Sequence, residues 1–351
     1  MNAPQDKKPR VFSAIQPTGG LHLGNYIGAL SQWVESQERY EGIYSIADLH
    51  ALTAWELDRG APIVEKVRQT AAILIACGFD PGRSSLFVQS RVSAHAELAW
   101  ILNCVTPVGW LERMTQYKTR AAKDGRTERA TAGLLDYPVL QAADILLYRT
   151  DFVPVGEDQK QHIELTADIA RRFNRLFGEV FVMPRPLIPS TGARIMGLDD
   201  PSIKMSKSLA QGRRGHAIGL ADSPDEIRRI VADAVTDSGD ETSFERASPG
   251  VKNLLTIFEA LSGKRLPAIE SHFQGKGYRY LKAEVADLII SVLDPIRDKY
   301  QGLMNHPVYL DKMLEEGAEK VRPTALSTLE NVKRRVGIEG PFPKKGSEIQ
   351  N

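Results

Sequence analysis

The sequence predicts an α/β fold in which an open parallel sheet is followed by an all-helical half. Three observations predict it. Short β-like runs alternate with helical stripes through the first third of the chain. Polar and glycine clusters follow directly on those runs. Beyond about residue 216 only helical patterns remain. Strand–helix alternation of this kind implies parallel strands joined by right-handed crossovers.

Taken in order, RVFSAIQ (10–16) is a short β-like run, and 25–38 follows as a helix with Ile27, Leu30, Trp33 and Val34 on one stripe. GIYSIAD (42–48) is the next strand; Ile63, Val64, Val67, Ala71, Leu74 and Ile75 then line a helix ending before Gly78. SLFVQS (85–90) is a third strand and 94–105 a third helix. Residues 106–150 read as a mainly helical insertion. DFVPVG (151–156) is a later strand, and the helix after it carries Leu165, Ile169, Phe173 and Leu176 at helical spacing.

From about Ser190 the texture changes. STGARIMGLDDPSIKMSKSLAQGRRG is rich in glycine and serine and poor in apolar pattern, which predicts a mobile loop over 191–215. Ser223-Pro-Asp-Glu226 is a capping box with proline at the first helical position, ahead of a buried face of Ile227, Ile230, Val231, Ala234 and Val235. Later stripes (Val285, Leu288, Ile289, Val292; then Leu326, Leu329, Val332, Val336) give further helices. The layout is a sheet domain over 1–190, the loop, and a helical domain over 216–351.

Composition narrows the class. At 351 residues, 42% hydrophobic and 25% charged, the chain is an ordinary globular protein with room for two domains. MNAPQDKKPR has no apolar run after its basic residues, so it is not a secretory signal, and no stretch approaches the roughly 20 apolar residues of a bilayer span. A cytoplasmic protein is the expectation. Cys77 and Cys104 are too few for a disulfide framework or a cysteine-rich zinc site, and their apolar helical settings predict buried thiols. A net charge of +1 announces no polyanion partner; the basic runs at 118–129 and 332–346 read equally well as solvated surface.

Function enters through the sheet edge. Ligands of open α/β sheets sit outside the carboxyl ends of the strands. Gln16-Pro-Thr-Gly follows the first strand, Asp48-Leu-His50 the second, Ser90-Arg91 the third and Gly156-Glu-Asp158-Gln159 the strand at 151–155. Each alone could be a turn or a helix cap. Their joint placement points to a composite ligand site. In GGLHLGNYIGAL (19–30), a helix start offers unpaired N–H groups to an anion, and Gly24 has no Cβ to block close approach. His22 and Asn25 can donate to phosphate oxygens. GxxxxGK[ST] and GxGxxG are both missing from the sequence, so neither standard nucleotide loop applies. Far along the chain, Lys204-Met-Ser-Lys-Ser208 supplies two lysines three apart that can close on a polyphosphate as movable point charges.

HLGN resembles the HIGH signature, and KMSKS is the second signature, of class I aminoacyl-tRNA synthetases. FSAIQPTGGLHLGNYIGAL, LDYPVLQAADILLY, PVGEDQKQHIELTADIARRFN, GARIMGLDDPSIKMSKS and AVTDS, with GAEKVRP near 317–323, are similar to the tryptophanyl branch of that family. The resemblance covers essentially the whole chain. Asn25 stands where HIGH ends in histidine, and Gln141 where some relatives carry methionine.

The resemblance implies a Rossmann-like sheet bearing both signatures and an anticodon-binding helical domain. It implies activation of L-tryptophan by ATP to an adenylate, then transfer to tRNA(Trp), in a homodimer. Gln16, Pro17, Thr18, Gly24 and Asn25 would hold ATP, with His22 near its phosphates. Gly156, Glu157 and Asp158 would hold the adenosine, and Ile195 would pack near adenine. Lys204, Met205, Ser206, Lys207 and Ser208 would close over the leaving pyrophosphate, helped by Mg²⁺ held mainly by ATP's own oxygens. His22, Asn25, Lys204 and Lys207 would be the catalytic set, with no metal ligand among the side chains; Arg120 stands where relatives place a phosphate-binding lysine.

Tyr137, Gln141 and Asp144 fall at i, i+4 and i+7 and share one helix face. A polar stripe on an amphipathic helix would look the same, but Ala142, Ala143, Ile145 and Leu146 surround this one with apolar residues. By resemblance Asp144 takes the indole N–H, and Phe12, Val153 and Val155 wall the ring. Tyr137, Gln141 and Gln159 would orient the α-amino and carboxylate groups, and His50 is a further candidate for the tryptophan site. The tyrosyl enzymes share the Tyr-x3-Gln-x2-Asp pattern, so GEDQKQHIEL and GARIMG favour tryptophan. A tRNA-binding paralogue without activity would be expected to lose the signature lysines, and both are present.

Overall fold

The computed structural model describes residues 8–18, 20–54, 61–118, 131–156, 160–187, 194–206, 213 and 215–339. Strands β1 (Arg10–Ile15), β2 (Glu41–Ile46), β3 (Ser85–Val88), β4 (Phe152–Pro154) and β5 (Arg185–Leu187) form one sheet in the order β3-β2-β1-β4-β5. Every neighbouring pair is parallel, with β1 and β2 in register from Arg10 opposite Glu41 to Ile15 opposite Ile46. Strands buried on both faces read as near-continuous apolar runs, as in β2, where only Glu41 is not buried. The chain builds outward from β1 in one direction and then, through β4, in the other. The carboxyl ends of β1 and β4 therefore flank a topological switch point.

On one face pack α4 (Ile63–Ala76), whose buried Val67, Ala71 and Leu74 meet Tyr44, Ile46 and Leu86 of the sheet. On the other lie α5 (Ala94–Asn103), α7 (Ala132–Leu146) and α8 (Lys160–Phe177), gathered around Phe12, Ile43 and Phe87. Between α5 and α7 comes the short α6 (Val108–Glu112). The helical region comprises α9 (Pro224–Ala232), α10 (Pro249–Ser262), α11 (Leu266–Phe273), α12 (Gly277–Met304) and α13 (Pro307–Val336). Ser223 caps α9 as its sequence predicts, its hydroxyl accepting from Glu226 N–H at 3.3 Å with Pro224 in the first turn.

Helix α13 crosses the sheet. Its Leu310, Met313 and Leu314 belong to the first apolar cluster, whereas Ala318, Val321, Ala325, Leu329 and Val332 belong to the second. The crossing point is Gly317, where a Cβ would lie 1.9 Å from the Leu86 carbonyl oxygen of β3. A backbone can approach a backbone this closely only through glycine. Arg68 of α4 adds a forked pair to Asp311, Nε at 3.0 Å and Nη2 at 2.7 Å. Residues from Ile218 to Leu314 share one cluster with Leu21–Val88, so the sheet and the helical region have apolar packing in common.

Several expectations are corrected. Residues 194–206, expected in a mobile loop, are anchored, with Ile195, Leu198 and Met205 buried. The three-residue β5 went unpredicted because Arg-Pro-Leu carries no alternation. Leu176, Val235 and Leu326, expected on buried stripes, are exposed; Val235 lies beyond the end of α9 at Ala232. Cys104 is exposed and Cys77 half-buried, where buried thiols were expected.

Candidate active site

Two polar constellations stand at the carboxyl edge of the sheet. The first joins the two signatures. After β1 the chain passes Gln16-Pro-Thr and enters a helical run, α1 (Leu23–Asn25), then a π turn (Tyr26–Leu30) and α2 (Ser31–Arg39). Asn25 Oδ1 accepts from the His22 N–H at 3.1 Å, fixing the entry. Gly24 faces Met205: a Cβ on it would meet the Met205 Cβ at 3.5 Å and the His22 ring at 3.1 Å. The backbone of the first signature is also tied to residues 218–220, Leu23 N–H to the Ile218 carbonyl at 2.9 Å and Leu220 N–H to the Leu21 carbonyl at 2.9 Å.

The base of KMSKS is clamped from behind. Met205 N–H donates to the Ile195 carbonyl at 3.0 Å, and Asn253 of α10 grips both the N–H and the carbonyl of Met196 at 2.9 and 3.0 Å. Buried His216 holds Asp199 through Nδ1 at 2.5 Å. Lys204 stands exposed on this base, and the Ser206 hydroxyl is buried without a hydrogen-bond partner among the described residues.

The second constellation surrounds Asp144, which is 1% exposed. Its Oδ1 accepts from His95 Nδ1 at 2.6 Å and Gln89 Nε2 at 2.7 Å. Its Oδ2 meets His50 Nε2 and Gln89 Nε2, both at 2.9 Å. His95 continues through Nε2 to the Tyr148 hydroxyl at 2.8 Å, and Tyr148 stacks on Phe12 at 5.8 Å. Burial alone would push the Asp144 carboxyl up. The His95 and His50 imidazoles, by charge and by hydrogen bond, outweigh it and hold it at about 2. A carboxylate so held is an anionic acceptor in an apolar wall.

The family of tRNA synthetases class I (W and Y) matches residues 4–294. The chain belongs to that family. The synthetase is 50% identical over 331 residues to the tryptophan–tRNA ligase of Wolinella succinogenes, covering 94% of this chain and 99% of the relative. It is 46% identical to that of Helicobacter pylori, with the same shares covered. The tryptophanyl-tRNA synthetase of Campylobacter jejuni, crystallised with ADP and tryptophan, superposes with a TM-score of 0.81 at 34% identity, covering 93% of this chain and 99% of that one.

The remaining expected residues of the synthetase divide into three groups. Gln16, Pro17, Thr18 and Gly156 lie at the ends of β1 and β4, beside each other across the switch point. Phe12 and Val153 are buried in the cluster that contains α7, with Val155 packed against it. Tyr137 and Gln141 are half-buried on α7; the Tyr137 hydroxyl donates to Gln116 Oε1 at 2.5 Å and meets His162 Nε2 at 2.9 Å. Arg120, Glu157, Asp158, Gln159, Lys207 and Ser208 lie outside the described residues.

Two polar edge residues prove structural. Asp48 Oδ1 accepts from Leu49 and Ser90 N–H groups, and Arg91 reaches across to the Asp311 carbonyl and Glu315 of α13. The basic run at 332–346 is likewise partly spent, since Lys333 pairs with Glu97 at 3.0 Å and Glu339 at 3.2 Å. Gln89, His95 and Tyr148 were missed. His95 left a trace: it shares the face of Leu98 and Leu102, a polar residue in an apolar stripe.

Proposed function

We propose that the synthetase joins tryptophan to ATP at the β1–β4 switch point and passes the tryptophanyl group to tRNA(Trp). It is a tryptophan–tRNA ligase. The observation that carries the site assignment is the meeting of HLGN and KMSKS at Gly24 and Met205. The ATP phosphates would lie between them, with His22, Asn25 and the Ser206 hydroxyl as donors. Gln16, Pro17, Thr18 and Gly156–Asp158 would take the nucleoside, with Ile195 beneath the adenine.

A carboxylate is already ionised at neutral pH, so attack of the tryptophan carboxylate on the α-phosphate needs no general base. What remains is positioning, and cancelling the charge that builds on pyrophosphate as the P–O bond breaks. Lys204 and Lys207 do the second. Mg²⁺ fits as a phosphate-borne ion: a hard cation takes oxygen ligands, ATP brings them, and none of His22, Asn25, Lys204 and Ser206 is a carboxylate. When bound it would share in neutralising those oxygens. Asp144 reads the indole N–H, Phe12, Val153 and Val155 enclose the ring, and Tyr137, Gln141 and Gln159 orient the ammonium and carboxylate.

The helical region carries anticodon recognition, and the protein works as a cytoplasmic homodimer. Trp100 of α5 and Val108 of α6 are exposed apolar side chains, at 71% and 57%, that a second copy would cover. Amino-acid-dependent ATP–pyrophosphate exchange tests the core of the reading. Tryptophan alone should support it. Lys207→Ala should lose on the order of 10²–10³ in exchange rate with a smaller change in ATP affinity; a rate near wild type removes Lys207 from the mechanism.

A further inference from the structure

Asp144 has no acceptor to spare. A carboxylate offers about four lone-pair sites. Three donors cover them in four contacts at 2.6–2.9 Å: the Gln89 amide nitrogen bridges both oxygens, His95 adds a donor on Oδ1 and His50 one on Oδ2. An indole N–H can be accepted only if one of these donors leaves.

The three donors are unequally committed. Gln89 is fully buried, its amide nitrogen on both carboxylate oxygens and its Oε1 accepting from Leu49 N–H at 3.2 Å. His95 is fully buried with both ring nitrogens engaged, one on Asp144 and one on Tyr148. His50 makes one side-chain hydrogen bond among the described residues, to Asp144 Oδ2. Of the three it alone keeps any exposure, 7% of its side chain, and its ring meets Tyr137 edge-on, on the helix that presents Gln141 and Asp144. It stands on a helix of only four residues, α3 (Asp48–Ala51), whereas His95 is held within α5.

We propose that His50 is a stand-in for the substrate: it occupies the Asp144 oxygen that the indole N–H takes and gives it up when tryptophan enters, while Gln89 and the His95–Tyr148 pair stay fixed. The inference rests on Asp144 being the indole reader. It assigns Gln89, His95 and Tyr148 as positioning residues and His50 as the exchangeable donor. An analogue lacking the ring N–H leaves His50 in place and Asp144 satisfied, so wild-type selectivity is less than an unpaired buried acid would impose. Without His50, the substrate N–H becomes the only donor for that lone pair. Removing a pocket residue should therefore sharpen selectivity.

The test is the ratio of kcat/KM in ATP–pyrophosphate exchange for tryptophan and for its benzothiophene isostere, in which sulfur replaces N–H. His50→Ala should raise the ratio about tenfold or more, the value of one hydrogen bond to a charged group. His50→Asn, whose amide can still donate, should stay near wild type. A ratio unchanged or lowered in His50→Ala overturns the stand-in role. Asp144→Asn separates the two claims, since a wild-type ratio there means that Asp144 does not read the indole, whatever His50 does. Proton NMR of the unmodified protein serves if His50→Ala does not fold. Saturating tryptophan should shift the hydrogen-bonded His50 N–H resonance and leave that of His95 in place, and the isostere should move neither. Retention of both resonances with tryptophan also overturns the proposal.

Discussion

Asp144 shows what one buried carboxylate contributes and when it stops contributing. Its folded value of about 2 lies below the ordinary 3.8. A depressed carboxyl stabilises the fold above its unfolded value and loses that stabilisation as pH falls through the folded one. Wild type should therefore lose about 2 kcal/mol of unfolding free energy between pH 4 and pH 2 through this group. Denaturant titrations at several pH values should give a shallower acid limb for Asp144→Asn; equal limbs would mean the histidines do not hold the charge. At this scale the sequence was half legible. The i, i+4, i+7 spacing of Tyr137, Gln141 and Asp144 marks the face, because helix geometry is local. Gln89 and His95 reach Asp144 from β3's end and α5, Tyr148 backs His95 from the turn after α7, and no local period links them. Lys333 was legible only as part of a basic run that could equally be solvated surface; its pairing with Glu97 of α5 has no local signal.

At the scale of elements, the strands β1 to β3 and the long helices were readable from period alone, whereas β5 and the anchored stretch 194–206 were not. Both depend on neighbours far along the chain, Asp151 for Arg185 N–H at 2.9 Å and Asn253 for Met196. Helix α9 gives a local test. Ser223→Ala removes one side-chain acceptor from its first turn and should cost about 1 kcal/mol in unfolding free energy, with activity kept. Helix α13 gives a long-range one. Gly317→Ala forces a Cβ against the Leu86 carbonyl, so helix and strand must part. Overpacking of that kind should cost about 1–3 kcal/mol and lower the melting temperature by several degrees. A melting curve unchanged by Gly317→Ala would show that the crossing can relax freely.

Across the whole molecule, sheet and helices share their two apolar clusters, so denaturation should appear as one transition by both fluorescence and circular dichroism. The exposed pair Trp100 and Val108 makes the assembly testable: Trp100→Glu with Val108→Glu should move the sedimenting species from twice the chain mass to the chain mass. A wild-type protein that sediments as a monomer rejects the dimer outright. The passage of α13 over β3 bears finally on synthesis. β3 is an edge strand, and such edges are templates for unwanted pairing until something covers them. Its cover comes from residues 307–336, more than two hundred positions later in the chain. While the residues between β3 and α13 are being made, the emerging polypeptide carries an open edge. Chaperone demand should therefore be greatest just before α13 leaves the exit tunnel.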